Sequence, residues 1–166
     1  MTRNVLILCT GNSARSVLAE ATLNDLGHGQ FHAFSAGSQP SGRVNPFTLE
    51  LLTARGHPVA GLRSKSWDQF AAGSAREGVP VMDFIITVCG NAAGETCPIW
   101  PGHPVSAHWG VDDPAAVQGS DEDKRAAFLT AYTILRRRVE RLLALPLDTL
   151  DAPAIAAHLQ DIGRVP

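Results

Sequence analysis

A nucleophile and an anion site share one short segment near the N-terminus. The segment at residues 4–16 reads NVLILCTGNSARS, in which an apolar run ends at Cys9 and five residues separate Cys9 from Arg15. A turn from a strand into a helix aims backbone N–H groups and the positive end of the helix dipole at one point, which makes an oxyanion site. The same field should lower the pKa of Cys9, and the planar guanidinium of Arg15 matches a tetrahedral anion. The segment therefore predicts a thiolate nucleophile inside an oxyanion-binding loop.

The other residues of this loop have types that suit its construction. Gly11 permits the tight, left-handed backbone that such a loop requires, and the side chain of Asn12 can brace the loop through hydrogen bonds. Ser13 and Ser16 can donate to the sulfur or to an oxyanion. The predicted oxyanion-binding residues are Thr10, Gly11, Asn12, Ser13, Ala14, Arg15 and Ser16.

A second polar motif, Val111-Asp112-Asp113-Pro114, lies much further along the chain. Asp113 precedes a proline, so its backbone is extended and its carboxyl can project from the loop. Displacement at a tetrahedral centre by a thiolate requires an acid that protonates the departing oxygen. An Asp-Pro pair also starts many ordinary turns, but together with the Cys9 motif it favours Asp113, rather than Asp112, as the general acid.

The two other cysteines, Cys89 and Cys97, indicate thiol chemistry. Cys89 ends a predicted strand, and Cys97 lies in a loop rich in glycine and small residues at 90–104. A thiol relay requires a nucleophile, a thiol that attacks it and a last thiol that accepts the disulfide, and the three cysteines suit these roles. Two alternatives stay open: buried thiols without chemistry, or a zinc site formed with His103 or His108, for which the ligand spacing is poor.

Length and composition bound the class of protein. The chain has 166 residues, of which 45% are hydrophobic and 18% charged, and its formal net charge is −2. This suffices for one domain with a substantial core, and it offers no basic face for a nucleic acid. No apolar stretch is long enough for a membrane span or a signal peptide. The odd count of three cysteines argues against a disulfide framework, so we expect a soluble protein in a reducing compartment, the cytoplasm.

Apolar periodicity predicts strands that alternate with helices. Four strands are predicted at residues 5–8, 31–35, 83–89 and 105–109. Helices are predicted at residues 15–26, 46–54, 67–72 and 151–161, with a longer one from residue 121 to the turn at Pro146. This order implies an α/β three-layer sandwich, in which a four-stranded parallel sheet has helices on both faces. Cys9, Cys89 and residues 110–114 then meet at the carboxyl edge of the sheet, where such folds bind ligands.

Several other charged residues are expected to have ordinary structural roles. Glu20, one turn into the first helix, is interpreted as a surface charge, and residues 136–138 with Arg141 are interpreted as a solvated helix face. None of the six histidines has a convincing partner in the sequence, so none is given a catalytic role.

Three separated motifs resemble one family. The N-terminal VLILCTGNSARS resembles the signature loop of the low-molecular-weight tyrosine phosphatase superfamily, while TVCGNAAGETCP at 87–98 and HWGVDDP at 108–114 resemble its arsenate reductase branch. The similarity covers about residues 4–142. It implies the parallel sheet described above, with Cys9 as the nucleophile, Arg15 as the anion clamp, Asp113 as the acid, and Cys89 and Cys97 as the relay. Residues 1–146 then form the phosphatase-like domain, and 147–166 form an extension packed on it or trailing from it.

The resemblance also implies an activity and its partners. The expected reaction is reduction of arsenate to arsenite, with the disulfide recycled by thioredoxin, by glutaredoxin with glutathione, or by mycothiol, and without an organic cofactor. Some members of the family bind potassium near positions that match Asn12, Glu20 and Ser35, but Lys65 offers a cation in that neighbourhood, so no metal is predicted. The alternatives are a phosphomonoester or phosphotyrosine phosphatase that uses one cysteine, and a non-catalytic sensor of redox state or oxyanions.

Overall fold

The predicted α/β fold is present in a computed structural model that describes residues 2–71, 78–89, 100 and 104–166. The strands are β1 (Arg3–Cys9), β2 (Phe31–Gly37), β3 (Phe84–Thr87) and β4 (Val105–His108). The helices are α1 (Arg15–Leu26), α2 (Pro46–Ala54), α3 (Asp121–Leu143) and α4 (Ala152–Ile162), with short 3₁₀ helices at Trp67–Phe70, Pro114–Ala116 and Leu147–Thr149. All the strands are parallel, and they form one four-stranded sheet in the order β2-β1-β3-β4. The predicted fold class is therefore confirmed.

The side chains of β1 alternate between two apolar layers, because successive residues of a strand point to opposite faces. Val5 and Ile7 pack in the layer that contains apolar residues of α1, α3 and α4, whereas Leu6 and Leu8 pack in the layer with Trp67 on the other face. These four β1 side chains are at most 1% exposed. Burial on both faces is typical of a central parallel strand, and it fixes the end of β1, where the predicted nucleophile lies.

The strand order places two loops side by side at the carboxyl edge of the sheet. β1 pairs with β2 on one side and with β3 on the other, so the chain leaves the sheet in different directions after β1 and after β3. Parallel sheets bind ligands in the crevice at such a switch point. Cys9 is the last residue of β1, and Cys89 lies two residues after β3. The fold therefore brings both cysteines to the predicted edge.

Capping residues set the starts of two of the predicted helices. The Asn45 side chain accepts a hydrogen bond from the Phe47 N–H, and Pro46 takes the first position of α2. Ser120 and Asp123 form a reciprocal capping box at the start of α3. The apolar stripe of α3 is buried as its spacing predicted, at Phe128, Tyr132, Leu135, Val139 and Leu142.

Some boundaries differ from the predictions. The second strand does not stop at Ser35, because Ala36 and Gly37 continue the register and Gly37 pairs with Cys9. β3 and β4 are shorter than predicted, and residues 67–70 form a 3₁₀ helix. The predicted loop at 90–104 lies mostly outside the described residues. No helix in the described part of the chain is both long and apolar enough to cross a bilayer.

The C-terminal helix packs on the edge of the sheet formed by β4. Its apolar side chains Ile155, Leu159 and Ile162 are buried in the same core as the sheet residues. The Trp109 indole N–H, just after β4, donates to the Leu159 carbonyl oxygen over 2.9 Å. The segment after residue 146 therefore covers an edge strand and shares the core with it.

Candidate active site

Cys9 lies at the end of β1, and the oxyanion loop, defined as residues 9–16, surrounds its sulfur. The residue is 3% exposed. Its Sγ lies 2.8 Å from the Ser16 hydroxyl oxygen and accepts a hydrogen bond from the Asn12 N–H over 3.2 Å. Donors of this kind stabilise a thiolate, because a hydrogen bond to the charged form of a group favours that form.

Burial affects Cys9 more than these donors do. It raises the pKa of the Cys9 thiol, because a poorly solvated interior disfavours the thiolate, and the hydrogen bonds with Ser16 and from the Asn12 N–H offset that rise only in part. A negative charge on Cys89 raises the pKa of Cys9 further, by repulsion between like charges. The expectation that the loop lowers the pKa of Cys9 is therefore wrong, because enclosure of the sulfur outweighs the local donors.

Asn12 holds the oxyanion loop in shape from within. Its backbone lies in the left-handed region with φ of 47°, which asparagine tolerates better than most residues. Its buried side chain donates from Nδ2 to the hydroxyls of Ser16 (2.8 Å) and Ser35 (2.9 Å), and its Oδ1 accepts from the Lys65 N–H (2.9 Å). The left-handed residue of the loop is thus Asn12, whereas the sequence had predicted Gly11.

Gly37 lets the chain after β2 approach the oxyanion loop closely. A methyl group on Gly37 would lie 2.3 Å from the Thr10 carbonyl oxygen, so a larger residue does not fit. Beyond Gly37, backbone N–H groups donate to the carbonyl oxygens of Cys9 (3.3 Å), Thr10 (3.0 Å) and Gly11 (3.0 Å). The sequence analysis ends the second strand before Gly37 and does not predict this role.

A buried ion pair lies behind Asn12. Glu20 accepts a hydrogen bond from the Ser35 hydroxyl, and its Oε1 lies 3.8 Å from the Lys65 Nζ. The two charged side chains are only 13% and 8% exposed, so the expectation that Glu20 is a surface charge is wrong. Burial raises the pKa of Glu20, and the Lys65 ammonium and the Ser35 hydroxyl oppose that rise. A side-chain ammonium therefore supplies the positive charge beside this carboxylate.

The described residues contain no group of three or more His, Cys, Asp and Glu side chains that could hold a metal ion. Of the residues weighed for a zinc site, Cys97 and His103 lie outside the described residues. The Nδ1 atom of His108 lies 2.7 Å from the Thr87 hydroxyl oxygen. The groups that the structure brings to this site are the Cys9 and Cys89 thiols, the Arg15 guanidinium and the Asp113 carboxyl group.

Arg15 connects the oxyanion loop to the Asp113 loop, defined as residues 109–113. Its Nη1 donates to the Val111 carbonyl oxygen over 3.0 Å, and its Nη2 lies 3.5 Å from Asp113 Oδ2. The other carboxylate oxygen of Asp113 accepts from the Ala115 N–H over 2.9 Å and so caps the 3₁₀ helix that follows. Asp112, by contrast, is exposed. The fold thus brings Asp113 to the predicted anion clamp from a position 98 residues away in the sequence.

Cys89 also lies against the oxyanion loop. It is 2% exposed, and its Sγ is 3.4 Å from the hydroxyl oxygen of Thr10, the residue after Cys9. Cys97, the third predicted member of the relay, lies outside the described residues. The structure therefore brings two of the predicted relay cysteines to one loop, and the place of the third stays a prediction.

The sequence reasoning missed Arg138, which it assigned to a solvated helix face. The residue is 5% exposed, and burial lowers the pKa of its guanidinium. The guanidinium donates to three backbone carbonyl oxygens, those of Trp109 (2.7 Å), Gly110 (3.2 Å) and Val165 (3.0 Å). The spacing carried a signal, because Arg138 stands three residues after Leu135 and four before Leu142, on the buried stripe of α3.

One histidine also has partners that the sequence did not reveal. His57 is buried, its Nδ1 lies 2.7 Å from Asp25 Oδ2, and its Nε2 lies 2.6 Å from the Tyr132 hydroxyl oxygen. The partners stand 32 and 75 residues away in the chain, so no local spacing could reveal them. This network ties α1 to α3 through the segment after α2.

Comparison with known proteins identifies the family. The family model of the low molecular weight phosphotyrosine protein phosphatase matches residues 4–153. The arsenate reductase of Halalkalibacterium halodurans is 33% identical over 136 residues, which cover 82% of this chain and 91% of that protein. The arsenate reductase of Bacillus subtilis is 35% identical over 124 residues, which cover 75% and 83%. The crystal structure of the arsenate reductase from Archaeoglobus fulgidus aligns with a TM-score of 0.64 and 26% identity, over 85% of this chain and 99% of that one.

The parallel sheet and the loop from Cys9 to Arg15 at its switch point define a phosphatase-like α/β protein. The chain belongs to the low molecular weight phosphotyrosine protein phosphatase family. Within that family, the relatives described above to which it is similar are arsenate reductases.

Proposed function

We propose that this protein reduces arsenate to arsenite through Cys9, Cys89 and Cys97. The observation that carries the proposal is a second thiol at the oxyanion loop, since Cys89 Sγ lies 3.4 Å from the hydroxyl oxygen of Thr10, the neighbour of Cys9. Hydrolysis of a phosphate ester by this fold needs one cysteine, whereas reduction of a bound oxyanion needs another thiol that reaches the first. The arsenate reductases with 33% and 35% identity support the same activity.

The first step joins Cys9 to arsenic. Because burial raises the pKa of Cys9, the thiol gives its proton to the incoming arsenate dianion, and the resulting thiolate attacks arsenic. One As–O bond breaks, Asp113 protonates the departing hydroxide, and water leaves. The Arg15 guanidinium and the N–H groups of the loop hold the remaining oxygens. Arg15 can bring the bound anion close to the acid, because its Nη2 lies 3.5 Å from Asp113 Oδ2.

The second step transfers two electrons to arsenic. The Cys89 thiolate attacks Cys9 Sγ, a disulfide forms between the two sulfurs, and the electron pair of the S–As bond stays with arsenic, which leaves as arsenite. The Cys97 thiolate then attacks Cys89 Sγ, releases the Cys9 thiolate and leaves a Cys89–Cys97 disulfide. A disulfide requires Cα atoms within ~7 Å of each other, and we expect residues 90–103, which lie almost entirely outside the described residues, to rearrange between the two bonds. An external thiol reductant restores the dithiol.

Arsenite production measured with three reductants tests this function. Purified protein is incubated with arsenate and with thioredoxin and its reductase, with glutaredoxin and glutathione, or with mycothiol and its recycling enzymes. We expect continuous arsenite formation with at least one of them, and none in the Cys89→Ser variant. The same variant is expected to hydrolyse p-nitrophenyl phosphate like the parent protein, because ester hydrolysis does not use Cys89. Arsenite formation by Cys89→Ser at the parent rate would contradict the relay.

A second candidate function is hydrolysis of phosphate monoesters, including phosphotyrosine. The contact between Arg15 and Asp113 favours it, because an anion clamp beside a carboxyl group, together with Cys9, is all that this reaction needs. A third alternative, a non-catalytic sensor of redox state or oxyanions, needs neither turnover nor Asp113. Arsenite formation supports the reductase, ester hydrolysis without arsenite supports the phosphatase, and binding without turnover supports the sensor.

A further inference from the structure

We propose that the C-terminal helix α4 and Arg138 hold the Asp113 loop in the position from which Asp113 reaches Arg15, so that Arg138 is a positioning residue for the reaction. The inference rests on the proposed function in one respect, the role of Asp113 as the acid. Most of α4 lies beyond residue 153, where the match to the family model ends. No step of the proposed reaction uses this helix directly.

The end of α4 touches the chain where it leaves β4 and becomes the Asp113 loop. The Trp109 side chain, 1% exposed, donates from its indole N–H to the Leu159 carbonyl oxygen over 2.9 Å. A methyl group on Gly163 would lie 2.3 Å from the His108 carbonyl oxygen, so the two backbones meet with no space for a side chain. The start of the Asp113 loop is therefore packed directly against the C-terminal segment.

Arg138 joins the same two segments from the side of α3. Its guanidinium donates to the carbonyl oxygens of Trp109 and Gly110 on one side and to that of Val165 on the other. A buried cation is costly unless its donors are satisfied, and none of the ion pairs among the described residues includes Arg138. The charge therefore serves to bridge backbone carbonyls, which fixes the start of the Asp113 loop against the C-terminus.

The fixed start of the loop determines where Asp113 lies. Past Gly110, the Val111 N–H donates to the Val88 carbonyl oxygen over 3.0 Å, and the Val111 carbonyl oxygen accepts from Arg15. Asp113 follows two residues later and approaches the same guanidinium at 3.5 Å. Because so few residues separate Gly110 from Asp113, a shift at Gly110 must move the carboxyl group relative to Arg15. A misplacement of about 1 Å can lower a rate ~100-fold.

A double-mutant cycle distinguishes positioning from general damage. The variants are Arg138→Met, Asp113→Asn and their combination, with Arg141→Met as a control that removes an exposed charge from the same helix. We expect Arg138→Met to lower kcat for arsenate reduction by about 10- to 100-fold, with KM for arsenate and Kd for inorganic phosphate within about twofold of the parent. In the Asp113→Asn background, Arg138→Met should lower kcat no further. Arg141→Met should have the kinetic constants of the parent.

Hydrogen exchange provides a readout that does not depend on activity. Arg138→Met should speed amide exchange in peptides that cover residues 109–117, without a change in peptides from α1. Gly163→Ala, which forces α4 away from His108, should give the same two effects and replaces Arg138→Met if that variant does not fold. Additive losses in the cycle, or unchanged exchange at 109–117, would overturn the inference. A parent-like kcat for Asp113→Asn would instead overturn the role of Asp113 as the acid. The hydrogen-exchange result would still decide whether α4 and Arg138 hold the Asp113 loop.

Discussion

The oxyanion loop and the Asp113 loop meet at the Arg15 guanidinium, but different parts of the chain hold them. The oxyanion loop continues directly from β1 into α1, and Asn12 braces it through Ser16 and Ser35. The Asp113 loop is fixed by Arg138 and by a helix near the end of the chain. The oxyanion loop is thus continuous with the strand and helix that flank it and is braced from Ser35 and the Lys65 N–H, whereas the Asp113 loop is held by Arg138 and the C-terminal helix.

The environments of the two loops differ as well. The Cys9 sulfur is almost fully enclosed, and its pKa is raised because burial outweighs the hydrogen bonds that it accepts. The side chain of Asp113 is 40% exposed and lies at the open side of Arg15. An enclosed nucleophile is protected from adventitious reaction, whereas a carboxyl group at the rim can exchange protons with solvent between turnovers. Changes at Arg15, which is proposed to hold the anion, should therefore affect anion binding and chemistry together, whereas changes at Cys9 and in the Asp113 loop should affect mainly chemistry.

The largest effect is expected from Cys9→Ser. A serine hydroxyl at this position is not ionised, so the first covalent step cannot occur. Arsenate reduction and any ester hydrolysis should fall to the uncatalysed background, as measured by arsenite release and by p-nitrophenol release. Binding of inorganic phosphate, followed by calorimetry, should persist and so serves as the control for an intact loop. Substantial arsenate turnover by this variant would remove Cys9 from the mechanism.

The second prediction concerns the guanidinium that joins the two loops. Lysine retains the charge of Arg15 but loses the planar fork that contacts Val111 and Asp113 and that we propose holds the oxyanion. Arg15→Lys should weaken kcat/KM by about 3 kcal/mol, or ~100-fold, by analogy with the loss of one oxyanion donor. Phosphate affinity should fall in parallel, because Arg15 is the residue proposed to grip the anion. Near-normal kinetics would show that Arg15 has only a structural role.

The third prediction separates chemistry from binding. Asp113→Asn should lower kcat about 100-fold, in the range of lost general acids, while Kd for phosphate or sulfate changes little. The matched control is Asp112→Asn, because Asp112 is the adjacent carboxylate and is exposed. Equal losses in the two variants would mean that the loop is sensitive to any change and that Asp113 has no special part.

The smallest effect on activity is expected at the ion pair behind Asn12. Lys65→Met leaves Glu20 buried without its ammonium, and we expect a loss of about 3 kcal/mol in the free energy of unfolding at neutral pH, the low end for an unpaired buried charge. The control is Arg43→Met, which removes an exposed positive charge at another surface position. Turnover should fall less than tenfold, since the Lys65 backbone N–H still donates to Asn12.

The pH dependence of that loss has a definite sign. The pKa of Glu20 is raised in the folded protein, so its protonated form is favoured and its contribution to stability is present below the unfolded pKa and lost as pH rises through the folded one. Without the Lys65 ammonium the pKa of Glu20 rises further, which widens the pH range over which this stability is lost. Denaturation of Lys65→Met should therefore show a small deficit in acid and a larger deficit towards neutral pH. A deficit that grows on acidification would contradict the pairing.

The extent to which the sequence revealed the site follows the same division between loops. The strand, the oxyanion loop and α1 are contiguous, so Cys9, Arg15 and the bounds of α1 follow from local pattern. The side chain of Asp113 was also found, because Asp-Pro constrains its own backbone. The Glu20–Lys65 pair and His57 were missed, because each depends on partners far away in the chain. Arg138 was missed although its place on the apolar stripe of α3 indicated burial. The predicted direction of the Cys9 pKa shift was wrong for a related reason, since burial depends on the whole fold.

The most direct test of the central claim is an incubation of Cys97→Ser with an excess of arsenate, first without any recycling reductant and then with a thioredoxin system. The account predicts about one arsenite per protein and then a stalled species in which peptide mapping finds Cys9 joined to Cys89, because the thiol that resolves this bond is gone. The parent protein under the same conditions should carry the Cys89–Cys97 disulfide. Continuous turnover by Cys97→Ser with a thioredoxin system, or the absence of any Cys9–Cys89 bond, would contradict the relay.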